Sequence, residues 1–161
     1  MKSWLLLFGM MSCLFLAARA DDTPLPDAIP TKLNIYVGGF LGPSYSVELK
    51  GDVLIYKYSY EGKNSKTISI KPGKKAWSRF IDEINSVKLF RWSPLYANPN
   101  VFDGTHWMVD LEFNTRKIHT QGDNNYPTDG NETKATNSAD PSSTFSHFCR
   151  ALSQLTGQPF E

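Results

Sequence analysis

The hydrophobic pattern switches period twice along this chain, and the switches mark its elements. From Lys32 to Lys71 apolar residues recur at every second position, the spacing of strands that bury one face. Leu33, Ile35 and Val37 predict a first strand over Lys32–Val37, closed by the glycine-rich run Gly38–Ser44. Tyr45, Val47 and Leu49 alternate with Ser46, Glu48 and Lys50. Gly51-Asp52 then turns the chain into Val53–Tyr60, where Leu54, Tyr56, Tyr58 and Tyr60 share a face, so the two arms read as a hairpin. That tyrosine ladder is read as a half-buried sheet face in preference to an aromatic binding platform. After Glu61–Asn64 comes a fourth strand, Lys66–Lys71, with Ile68 and Ile70 inward. Strands joined by such short loops predict an antiparallel meander.

Beyond Pro72-Gly73 the period becomes helical. Trp77, Phe80, Ile81, Ile84 and Val87 form one apolar stripe on a helix from about Lys75 to Val87. The next stretch, Leu89–Gly104, holds Pro94, Pro99 and Gly104, which forbid a long regular element, and Trp92 and Tyr96 pin it to the body. Alternation returns in a hairpin where Trp107, Val109, Leu111 and Phe113 face the core and Met108, Asp110 and Glu112 face away. If Asn114-Thr115 form a two-residue turn, Phe113 pairs with Arg116, Glu112 with Lys117, Leu111 with Ile118 and Asp110 with His119. A four-residue loop, the alternative because Asn-Thr is a weaker turn signal than Asn-Gly, would keep the faces and slide the partners. A polar connection without structure of its own is expected over Gly122–Asp140. The last helix is predicted to start at Asp140 as N-cap with Pro141 at its first position, to bury Phe145, Phe148, Cys149, Leu152 and Leu155, and to stop at Gly157. The fold class is therefore α+β: an antiparallel sheet of about six strands, in the order ββββαββα, with two amphipathic helices packed on one face.

The start of the chain changes where this fold is expected to reside. Met1–Ala20 has one basic residue, Lys2, an apolar run, and Ala18-Arg19-Ala20, the pattern of a secretory signal cleaved after Ala20. The alternative is a lipoprotein modified at Cys13, although the apolar run continues past that cysteine. Asp21–Thr31 is rich in proline and aspartate and reads as a flexible lead-in, leaving a single domain over 32–161. The expected location is secreted or periplasmic, with no integral membrane span after cleavage. Losing Lys2 and Arg19 takes the 17 basic side chains to 15 against 16 acidic ones. That balance argues against a nucleic-acid or anionic-membrane partner. Cys149 is then the sole cysteine, so no internal disulfide is expected.

Candidate chemistry collects between Val101 and Pro127. Asp110 facing His119 across the hairpin, with His106 nearby, is the combination that a metal-independent hydrolase on residues 106–122 would use for acid–base work. Its rival is an ordinary cross-strand ion pair on a solvated face, and no serine or cysteine stands beside it in sequence. Cys149 lies on an apolar stripe and reads as an inert core thiol. No HExxH, CxxC or calcium-loop pattern occurs, and Tyr126 and Pro127 fall where an acidic loop would need ligands, so neither a metal nor another cofactor is expected. For ligand binding the candidates are Asp103, His106, Asp123, Asn124, Tyr126, Trp92 and Tyr96, at the open end of the hairpin and in the loops beside it, with Phe40 and Phe102 as further aromatics.

Several of these residues recur in order: GGF-x-G-x-SYSVEL from Gly38, Trp77 with Phe80, Arg91-Trp92 with Tyr96, Asp103-Gly104 with Trp107, Gly122–Pro127, and the final helix with Phe145, Phe148 and Cys149. This set resembles a group of small uncharacterised exported bacterial proteins, over roughly Lys32–Phe160. The stretch between Pro127 and Phe145 is longer than is typical of the group. The resemblance implies an exported bacterial setting and assigns no activity and no functional residue. The sequence reading is thus a non-catalytic binding or interaction module with an unknown protein or small-molecule partner. The hydrolase is the alternative, and a structural envelope component the second.

Overall fold

The computed structural model describes residues 29–39, 41–98, 104–128, 131–135 and 140–160. Four strands, β1 (Lys32–Gly39), β2 (Pro43–Lys50), β3 (Val53–Tyr60) and β4 (Lys63–Ile70), form the expected antiparallel meander. Helix α1 (Lys74–Ser86) follows, then a 3-10 turn (Leu89–Arg91), β5 (Leu95–Ala97), and the hairpin β6 (Thr105–Glu112) and β7 (Lys117–Asp123). The chain closes with a small ribbon, β8 (Pro127–Thr128) and β9 (Asn131–Ala135), and helix α2 (Ser143–Thr156).

Among the described residues the main sheet has seven strands, ordered β4-β3-β2-β1-β6-β7-β5. This corrects the expectation of about six strands in the order ββββαββα. The extra strand, β5, has three residues, too few for alternation to be read, and it lies parallel to β7, which makes the sheet mixed. The ribbon β8-β9 lies in the stretch expected to lack structure. Its sequence, with NETKA in β9, carries no apolar alternation to announce it. Strand β1 sits at the centre, with β2 on one side and β6 on the other, so it joins the meander to the hairpin.

Inside the β6-β7 hairpin the predicted register holds. Asp110 faces His119, Leu111 faces Ile118, Glu112 faces Lys117, and Phe113 N donates to Arg116 O at 2.7 Å. The inward residues of the strands, among them Leu33, Ile35, Val47, Leu54, Trp107, Val109 and Leu111, share one core with Trp77, Phe80, Ile81 and Ile84 of α1 and with Phe145, Phe148 and Leu152 of α2. Across the two helices His147 Nε2 meets Glu83 Oε2 at 2.5 Å. Helix α2 begins two residues later than predicted: Ser142 is its N-cap, accepting from Phe145 N at 3.1 Å, and Pro141 precedes the cap. At the other end Gly157 takes φ 65°, a left-handed stop that favours glycine. The tail then folds under β2 and β3, where Phe160 is fully buried against Tyr45 and Tyr56.

Candidate functional site

The open end of the β6-β7 hairpin brings residues 104–106 and 122–127 together, and most of their polar atoms are used internally. Trp107 Nε1 donates to Asn125 O at 2.9 Å, and Asn125 Nδ2 donates to Ala97 O at 2.9 Å, which ties β5 to the end of β7. Asn124 holds φ 45° and returns two hydrogen bonds to β6: Thr105 N donates to its Oδ1 at 2.8 Å, and its own N–H donates to Thr105 O at 2.9 Å. Gly104 packs so close to the Asn124 amide that a Cβ there would overlap it. The Tyr126 ring stacks on Trp107 at 6.4 Å between centroids and meets Phe145 at 4.9 Å.

Four of the seven ligand-binding candidates are therefore core residues: Trp92, Tyr96, Asn124 and Tyr126 are all buried. Trp92 Nε1 donates to Val87 O at 3.0 Å, and the Tyr96 hydroxyl accepts from Ser93 N at 2.8 Å. The Tyr126 hydroxyl is the exception, a buried oxygen without a hydrogen-bond partner of ordinary geometry among the described residues. Burial raises its pKa, and the nearby Thr105 hydroxyl opposes that rise. Asp103, Phe40 and Phe102 lie outside the described residues.

The exposed candidates sit on the other face of the sheet. His106 stands between Gly38 of β1 and Asp123 of β7, and its Nδ1 meets Asp123 Oδ1 at 2.6 Å with both side chains about half exposed. The Tyr36 ring lies 6.2 Å from the His106 ring. Gly38 supplies the space for this arrangement, because a Cβ there would strike the Ser44 side chain and the Tyr36 hydroxyl. Asp110 bonds first to Lys32, whose Nζ is 2.6 Å from Oδ2, while His119 Nδ1 stays 3.9 Å away. Hydrogen bonding to Asp110 and its charge raise the Lys32 pKa. The structure thus places His119 and Asp110 opposite each other without a tight pair, and makes the tight pair from His106 and Asp123.

Cys149 is buried, as its place on the apolar stripe predicts. Among the described residues, no three His, Cys, Asp or Glu side chains cluster closely enough to share a metal ion. The same residues contain no helix long and apolar enough to cross a membrane.

One concavity on the open face was missed by the sequence reading. It has a volume of about 320 Å³, with Tyr36, Ser46, Lys57, Ser59, Ser65 and Thr67 in its wall. The strand registers place Tyr36 opposite Ser46, Ser46 opposite Lys57, and Lys57 opposite Thr67, so one row crosses four strands. The signal was present as the polar half of each alternation, where short hydroxyl side chains stand in place of the usual long ones. Compared with family models, with curated proteins and with solved structures, the chain matches none of them.

Proposed function

We propose that this chain is an exported, non-catalytic binding module whose ligand or partner docks on the open face of the sheet. The observation that carries this reading is the division of the two faces. The helices and the C-terminal tail bury one face in a single core, while the other keeps its side chains at least partly exposed around a concavity. A hollow whose wall holds no His, Cys or carboxylate among the described residues fits binding better than turnover. Export is supported by the residues of Met1–Ala20, which lie outside the described part of the chain.

A hydrolase is the second reading, favoured by one distance: the 2.6 Å contact that orients His106 against Asp123. It moves the candidate pair from Asp110 and His119 to the end of the hairpin. A structural envelope component is the third reading, and the uncovered face gives it nothing to explain.

Affinity capture with the exported protein from an envelope extract of its own source tests the binding reading. Specific recovery of a ligand or partner, reduced by substitutions on the open face, is the expected result. Recovery of nothing above a denatured control counts against it. For the hydrolase, a substrate screen that finds turnover abolished by His106→Ala and Asp123→Asn would reverse the order of the two readings.

A further inference from the structure

We propose that the hollow formed by β1 to β4 on the open face binds a saccharide carrying an acidic group, a uronate being the simplest case. The inference rests on the binding reading and names its ligand class. Three observations on one patch lead to it.

The first is charge. On the same face Lys32 is paired with Asp110 and Lys50 with Glu48 at 3.3 Å, whereas Lys57, in the wall of the hollow, has no ion pair among the described residues. No carboxylate of the described residues stands in the wall, so the local charge is complementary to a single anion. One ammonium without an arginine cluster suits a carboxylate better than a multiply charged phosphate.

The second is hydrogen bonding. Ser46, Ser59, Ser65 and Thr67 surround Lys57, and none of their hydroxyls is bonded to another described residue. A hydroxyl both donates and accepts, and so does each hydroxyl of a sugar ring, so the two sets match without leaving an unpaired group. The third is shape. The short side chains leave a hollow of about 320 Å³, at the lower end of the roughly 300–1,000 Å³ usual for small-ligand sites. The half-buried Tyr36, its hydroxyl 3.4 Å from Ser44 Oγ, gives that hollow an aromatic wall against which the apolar face of a pyranose can lie.

The test is a titration of the 15N-labelled exported protein, followed by amide chemical shifts, with digalacturonate, neutral galactobiose and inorganic phosphate, and separately with the envelope extract. The expected result is a set of shifts confined to the open face of β1 to β4, with digalacturonate at least tenfold tighter than galactobiose or phosphate. Lys57→Gln should weaken digalacturonate at least tenfold and leave galactobiose within twofold. Ser46→Leu, which fills the hollow, should abolish both. Phosphate binding as tightly as digalacturonate, an unchanged affinity in Lys57→Gln, or no shifts with either sugar overturns the proposal. Open-face shifts with the extract but with neither sugar overturn the saccharide and keep the binding reading, whereas an extract that shifts nothing overturns the binding reading itself.

Discussion

Trp107 occupies the space that Gly122 leaves empty on the neighbouring strand. The two are direct cross-strand partners, and a Cβ at position 122 would lie 2.5 Å from the indole ring and 2.6 Å from Asn125 O. The glycine therefore sets the position of the indole, and the indole N–H in turn holds the loop that follows.

Gly122→Ala should cost stability by overpacking. Neither contact is with a flexible side-chain end, so the strand or the ring must shift, at about 1–3 kcal/mol. Chemical denaturation should show a lower midpoint with an unchanged slope. Near-ultraviolet circular dichroism should change in the Trp band, since Trp107 also packs on Tyr96 and Phe145.

Asn124 combines a left-handed backbone with a side-chain bond to Thr105 N. Asn124→Gly keeps the first and loses the second, at about 1 kcal/mol; Asn124→Ala loses the bond and adds backbone strain, for a total of about 2 kcal/mol. The ordering Asn above Gly above Ala in thermal midpoint is the check. An alanine variant as stable as wild type would remove the structural role given to this residue.

Alkaline titration should distinguish Tyr56 from ordinary tyrosines. Burial, with the neighbouring Tyr45 and Tyr58 phenols, pushes it up to about 12. Its hydroxyl also donates to Pro159 O at 2.7 Å, a bond only the protonated form can make. The folded value lies above the unfolded one, so the contribution to stability is complete below about pH 10. It is lost as the pH rises through 12. Absorbance at the phenolate band should show a late phase that loses the amplitude of one tyrosine in Tyr56→Phe, and unfolding midpoints measured at pH 9 and pH 11.5 should converge for that variant relative to wild type.

Phe160 closes the core from the end of the chain. Phe160→Ala should cost about 3–5 kcal/mol, because a fully buried ring is replaced by a cavity. It should also free the Pro159 carbonyl from Tyr56, so the late tyrosine phase should move toward the ordinary range in the same variant. A stable variant with an unmoved Tyr56 titration would show that the tail does not hold the sheet.

Cys149 should react slowly with a thiol reagent in the folded protein and rapidly once denatured, since its thiol is enclosed in the core. Reaction of the native protein at the rate of a free thiol would contradict that enclosure.

Much of this molecule was legible in local pattern. Alternation located the meander and told which face of each strand is buried, and the stripe from Trp77 to Ile84 located α1. The two-residue turn at Asn114-Thr115 fixed the hairpin register, and through it the facing of Asp110 and His119. These features depend on neighbours within a few residues, where side-chain period and turn chemistry act directly.

The partners across longer separations were not legible. Backbone hydrogen bonds are the same for every strand, so nothing local says that β1 lies between β2 and β6, or that three residues of β5 run parallel to β7. Asn125 and Tyr126 read as exposed loop residues because their sequence surroundings are polar; they are buried because Trp107, Ala97 and Phe145 come to them in space. The hollow around Lys57 is the clearest case: the sequence determined each short hydroxyl residue and the face it occupies. Only the pairing of four strands set those residues side by side, because a concavity is a property of neighbouring strands and no single strand contains it.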